Sequence, residues 1–306
     1  NESTRQAMRQ KAKHGVLRAI IAPVVTSLAT LLAPLTAMAE STIVGAGQAT
    51  AASEDTAPES LRVNNGFDLT RPQTAFEVRG LDETSSNDTS ETNRAQMALR
   101  LEGMIPLDVG WRLGVHAQVP LVQKTTTDFE TGSADHEVGL GDASFQAVVA
   151  YAINDRWAAA VGTRVVAQTA AGSLGSGEWQ VQPGFGVRYM LFELGEDCYF
   201  VPSMRYATSI PGNGQARRIS EPQIAPTLNI DFPGPFFITF YPSNDIRINY
   251  GVPIAGQTGR LFLPFDALIG VRLSDQVALS LEGSVPIVKA YPVYNFKTEM
   301  KLRILF

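Results

Sequence analysis

Three side chains have the types that nucleophilic chemistry needs. His116 is the single histidine on a segment with strand periodicity, and Asp142 and Ser144 follow one strand later on the same face. A serine hydrolase requires a nucleophile, a base and an orienting carboxylate within hydrogen-bond reach. Any sheet with a polar face supplies such a trio by coincidence. No metal-ligand spacing, phosphate-cradling glycine loop or paired-carboxylate motif accompanies it. GAGQAT near residue 45 has glycines but no strand before it. The sequence therefore predicts neither catalysis nor a cofactor nor a metal, and a lipid-modifying enzyme remains the minority reading.

A stronger chemical signal is charge repeated at every second residue. The basic positions are Arg79, Arg94, Arg100, Arg112, Arg164, Arg188, Arg205, Arg247, Arg272, Lys297, Lys301 and Arg303. The acidic ones are Glu77, Glu102, Asp142, Asp231, Asp266, Glu282 and Glu299. Each lies in a run whose intervening residues are apolar. RAQMALRLEGMI alternates Arg94, Gln96, Arg100 and Glu102 with Ala95, Met97, Leu99, Leu101 and Ile105, and the terminal FKTEMKLRILF does the same through Phe306. A period of two is that of a strand exposed to two different media.

The elements that must position these charges are strands throughout. Short breaks fall at LDVG (107–110), NDR (154–156), LGEDC (194–198), PGP (233–235) and SDQ (274–276). Longer connections are expected at 81–93, 125–137, 171–178, 211–221, 251–260 and 286–292. Alternating short turns and long loops, with about 40 residues between successive short breaks, is the spacing of membrane-barrel hairpins. The reading is all-β: a transmembrane antiparallel up-and-down β-barrel of about 12 strands over residues 71–306. Too many strands and charges are present for the small apolar interior of a soluble barrel, so the apolar parity faces lipid and the charged parity lines the lumen. Trp111, Trp157, Tyr199 and Phe236 open strands after short turns, and Tyr151 and Tyr189 close strands before them, as an aromatic girdle would.

Two segments precede the barrel. Residues 1–39 combine a basic start, an apolar stretch and Ala37-Met38-Ala39, which reads as a signal peptide cut after Ala39. Residues 40–70 are small, polar and acidic, which predicts a flexible periplasmic segment. Losing 1–39 removes five bases and one acid from totals of 25 and 30, leaving 20 against 29 and a formal charge of −9. That balance disfavours nucleic-acid binding. Cys198 is the only cysteine, so no intrachain disulfide is possible.

Two resemblances follow from particular residues. A lipid-facing last strand ending in Phe306 resembles the assembly signal of outer-membrane β-barrels. This implies partnership with membrane lipid and the outer-membrane assembly machinery, in the bacterial outer membrane. VGLGDASFQAVVAYAI followed by GSLGSGEWQVQPGFGVRYML resembles the outer-membrane transporter family associated with the meta-pathway of phenol degradation. The resemblance rests on Gly139, Leu140, Gly141, Asp142, Gly175, Gly177, Pro183 and Gly184. Gln168-Thr169-Ala170 stands where that family usually has Pro-Thr-Gly. The resemblance implies a channel for small solutes, among them hydrophobic or aromatic compounds. The arginine surplus leaves a channel selective for anionic sugars or acids as the alternative. Oligomeric state is not set by these features.

Overall fold

A computed structural model describes residues 62–210, 218–251 and 259–306. Residues 1–39 and most of 40–70, on which the signal-peptide and lead-in expectations rest, lie outside them. The described chain contains no helix; fourteen strand segments account for its regular structure. They are β1 (Ala75–Ser86), β2 (Ser90–Asp108), β3 (Trp111–Asp128), β4 (Ala134–Leu140), β5 (Ser144–Ala152), β6 (Trp157–Val166) and β7 (Gln180–Met190). There follow β8 (Tyr199–Ser209), β9 (Ser220–Asp231), β10 (Phe236–Phe240), β11 (Ile246–Asn249), β12 (Arg260–Arg272), β13 (Val277–Lys289) and β14 (Phe296–Leu305).

These fourteen segments make twelve staves. β4 and β5 both pair with β3, as two halves of one stave interrupted at 141–143. β10 and β11 both lie between β9 and β12, interrupted at 241–245. All neighbours are antiparallel, and the sheet closes by pairing β1 with β14, from Ala75↔Leu305 to Thr84↔Phe296. Closure removes both sheet edges, which is the condition for a sheet to cross hydrocarbon, where unpaired backbone groups find no water.

The two faces are distributed as the period of two requires. Leu99, Leu101, Val161, Phe185, Ile269 and Leu281 all point outward, with Leu101 58% and Ile269 64% exposed. Glu77, Asp266 and Glu282 on the opposite parity are 0% exposed. A water-soluble monomer rarely exposes more than a few hundred Å² of continuous apolar surface. An apolar outer wall around an ionic interior is the architecture of an outer-membrane β-barrel.

Aromatics border that wall at the short-turn end. Trp111 stacks on its cross-strand partner Tyr151 with ring centroids 4.6 Å apart, and Trp157 on Tyr189 at 4.7 Å. Phe236 is likewise exposed. Tyr199 is a correction to the expected girdle: it is 2% exposed, faces inward, and Phe200 takes the outward place opposite Tyr189. The parity of β8 requires this, because Tyr199 and Arg205 are six residues apart and share a face. Phe306 is exposed.

The expected loops at 81–93 and 125–137 are mostly strand. β1 and β2 meet in a tight turn at 87–89, where Asn87 Oδ1 accepts from the backbone amides of Thr89 and Ser90. β2 and β3 stay paired up to Ser90↔Asp128. At 19 residues β2 spans about 60 Å of extended chain, against the 9–11 residues a membrane strand needs. The outer half of this hairpin therefore stands clear of hydrocarbon. With water on both faces it carries no apolar alternation, so its Thr-rich sequence looks like loop.

Candidate functional site: the lumen

Chain from the end of the lead-in occupies the lumen at the short-turn end. Val63 anchors it: its amide donates to the Asp275 carbonyl at 2.8 Å, and Arg272 Nε donates to its carbonyl at 3.3 Å. Asn65 Nδ2 donates to Asn229 Oδ1 and Thr239 Oγ1, and its Oδ1 accepts from the Tyr199 hydroxyl at 2.8 Å. Asp68 caps a turn through the Thr70 amide and pairs with Arg188 at 3.3 Å. Phe67 lies under the Lys301 ammonium, 3.4 Å from the ring centroid, and Leu69 packs on Val148, Ala150 and Ala160. Pro72 is seated against Gly114, where a Cβ would come within 2.6 Å of the Pro72 ring. Residues 63–70, expected to belong to a flexible lead-in, thus form an internal plug segment.

The opposite mouth is narrowed by the connection between β6 and β7. Arg94, Lys124 and Glu137 are cross-strand neighbours on the inner face of β2, β3 and β4. Arg94 Nη2 donates to the Leu174 carbonyl at 3.1 Å, Lys124 Nζ to Ser173 Oγ at 2.6 Å, and Glu137 accepts from Ser173. Asp142, expected on the open wall, is instead the latch of this loop: it accepts from the amides of Ala170 and Ser176 and from Ser176 Oγ. Gly175 sits so close that a Cβ there would fall 2.5 Å from both Asp142 Oδ1 and the Ala170 methyl. The GLGD and GSLGSG segments are therefore two halves of one contact. Asp142→Ala should accelerate proteolysis within residues 170–177 of the detergent-folded protein without moving its urea midpoint. Unchanged cleavage would mean the loop is held elsewhere.

The wall charges are largely paired, through neighbours that register selects. Arg303 meets Glu77 at 3.1 Å and Glu102 at 2.5 Å; Arg100 meets Glu102 at 2.5 Å; Arg79 meets Glu77 at 3.2 Å and also Glu299. Lys301 lies 3.8 Å from Glu299. Across β14, β13 and β12, Lys297 is shared by Glu282 at 2.6 Å, Asp266 at 3.8 Å and Asp245 at 2.5 Å. Arg247 extends this group, 2.6 Å from Asp245 and 3.8 Å from Glu221. Arg272 and Asp231 pair at 2.7 Å. Arg112 is half-buried on β3. Asp68, Glu221 and Asp245 were not among the expected lumen acids, and they reduce the cationic surplus. Glu221 shares the parity of Gln223 and Asn229, a signal already in the sequence. Asp245 sits in a strand break and Asp68 in the lead-in, where parity gives no guidance.

Arg164 and Arg205 are different. Arg164 Nη2 donates to Ser144 Oγ at 3.0 Å and Arg205 Nε to Gln223 Oε1 at 2.5 Å, both neutral acceptors. Arg164 Nε is buried without a partner. Both side chains border a cavity of about 250 Å³ between the plug segment and the 242–245 strand break. The hydrolase trio is not assembled. His116 Nδ1 is 3.1 Å from Arg100 Nη2, Ser144 Oγ accepts from Arg164, and Asp142 is taken up by the loop.

Asp245, Asp266 and Glu282 bring carboxylate oxygens within 4.8 Å of one another, the one such cluster among the described residues. Lys297 reaches all three carboxylates, so their charge is answered by an ammonium and the donor set fits a lysine rather than a cation.

Residues 83–210 match the model of the family described as "Putative MetA-pathway of phenol degradation". That span contains the GLGD segment, the inward loop and the strands that carry them. No curated protein sequence matches the chain. Among solved structures, the transport unit of the autotransporter AIDA-I from Escherichia coli is 10% identical with a TM-score of 0.49, covering 78% of this chain and 91% of that one. The NanC porin is 10% identical with a TM-score of 0.43, covering 76% and 98%. The KdgM porin is 10% identical with a TM-score of 0.37, covering 76% and 99%.

Proposed function

We propose, from the family match over residues 83–210 and the lumen described above, that the chain is a passive outer-membrane channel for small solutes. The observation that carries this reading is a closed barrel with lipid-facing apolar residues and an ionic interior that still holds a cavity of about 250 Å³. Solutes would move down their gradients past charged and amide side chains, with no energy source and no cofactor. The family match favours hydrophobic or aromatic compounds, and Phe67 and Leu69 give the cavity apolar surface. A second reading, selectivity for anionic acids or sugars, is favoured by Arg164 and Arg205. Catalysis on lipid finds no support in the positions of His116, Asp142 and Ser144.

Membrane lipid and the outer-membrane assembly machinery are the partners this reading implies. Export by removal of residues 1–39 belongs to it too, and N-terminal sequencing of the mature protein should begin at Glu40. Liposome swelling with phenols, benzoates, sugars and organic acids tests the channel. Swelling is expected with small aromatic solutes, and absence of swelling and of single-channel current with every solute would sink the proposal.

A further inference from the structure

We propose that Arg164 and Arg205 form a binding site in the lumen for a small organic monoanion with an apolar body, of the aromatic or aliphatic carboxylate class. The proposal deepens the channel reading by naming what the cavity selects.

These two arginines contrast with the rest of the wall. Arg79, Arg100, Arg247, Arg272 and Arg303 each have a carboxylate within 3.2 Å. Arg164 and Arg205 have only a serine hydroxyl and an amide oxygen, and no carboxylate among the described residues pairs with either. Both are half-buried and face the cavity, and a guanidinium cannot shed its proton, so each keeps a charge that an anion entering the lumen can answer. Arg164 Nε is buried and unpartnered, as are those of Arg100, Arg247 and Arg303, but in Arg164 alone of these four it belongs to a guanidinium with no carboxylate partner.

The neighbours of Arg164 are donors and amides rather than acids, and the acid nearest Arg205, Glu221, is already engaged by Gln223 and Arg247. Register places Gln146 and Gln182 on either side of Arg164, and His116 next to Gln146. Arg100 can only donate, so His116 Nδ1 accepts from it, and the neutral ring's proton resides on Nε2 as a further donor. The carboxylates of the cavity are on other staves. Glu299 is held by Arg79, and Asp245 by Lys297 and Arg247. Glu83 stands cross-strand from Lys297. The cavity is thus cationic on the β6–β8 side and compensated on the other, which orients an anion.

Apolar surface sets the rest of the ligand. Phe67 and Leu69 of the plug segment, with Val148 and Ala160 of the wall, border the same cavity. Its 250 Å³ equals roughly eight times the ~30 Å³ share of a liquid water, room for a single ring with one carboxylate.

Benzoate is the probe and benzyl alcohol its uncharged counterpart, both measured by equilibrium binding to the full chain folded in detergent. Benzoate is expected to bind about tenfold or more tightly than benzyl alcohol, as a charge-assisted pair implies. Arg164→Gln with Arg205→Gln should remove that preference, bringing benzoate affinity down to that of benzyl alcohol. Equal binding of the two probes by the unsubstituted protein overturns the site, even if the variant fails to fold. So do benzoate binding that survives the double substitution and displacement of benzoate by galacturonate at equal concentration. Single-channel current on the same preparations reads the channel separately. Benzoate binding without current keeps the site and removes the channel; current without benzoate binding does the reverse.

Discussion

Deleting residues 62–72 should raise single-channel conductance severalfold while leaving the barrel folded. The segment spans the lumen at the short-turn end, held by Val63, Asn65 and Asp68 to side chains and carbonyls on several different staves. Barrel closure does not depend on it, because the β1 to β14 ladder begins at Ala75. The deletion exposes Tyr199, Arg188, Asn229 and Thr239, polar groups that water can satisfy, together with the small apolar patch of Val148, Ala150 and Ala160 under Leu69. Conductance in planar bilayers measures the effect, and the strand signal by circular dichroism controls for folding. An unchanged conductance in a folded variant would place the constriction elsewhere, at the 170–176 loop or the 242–245 break.

Replacing Lys297 by methionine should destabilise the barrel by about 3–5 kcal/mol, the cost of removing one partner from a buried ionic group. Lys297 is 4% exposed and answers Asp245, Asp266 and Glu282 together, of which the last two are fully buried. Without the ammonium, three carboxylates face one another with Arg247 alone beside Asp245. Asp266 and Glu282 lie close enough to share a proton, and that proton is the only further local compensation among the described residues. The urea midpoint in detergent reads the loss. Adding Glu282→Gln to Lys297→Met should recover part of it, because one negative charge is removed and the amide can donate to a neighbour. A midpoint indifferent to Lys297→Met would mean that water, not the lysine, balances these carboxylates.

Both expectations concern features that the sequence did not disclose, and the reason is the same for each. Asp68 belongs to a polar, aperiodic stretch whose composition is that of a mobile segment, yet it becomes buried because Arg188 on β7 lies within reach. Asp245 falls in a strand break, where no alternation says which way a side chain points, and it turns inward to Lys297. Tyr199 was legible: counting back from Arg205 along β8 puts it inside. Asp142 carried the right polarity with the wrong duty, since the loop it latches lies 28 residues further on.

The sequence by itself determined the strand architecture and the direction of each face. A wall between lipid and water imposes a period of two residue by residue, so Leu99, Leu101, Arg100 and Glu102 report their media locally. The twelve-stave count followed from the same alternation and its short breaks. The tertiary structure alone decided which charges are spent in pairs and which, at Arg164 and Arg205, are left facing neutral partners. It also decided that residues 63–73 lie inside the barrel and that residues 170–176 are latched inward. Pairing is set by register between strands far apart in the chain, and filling by whatever the closed lumen can satisfy; neither leaves a trace in the spacing of one strand.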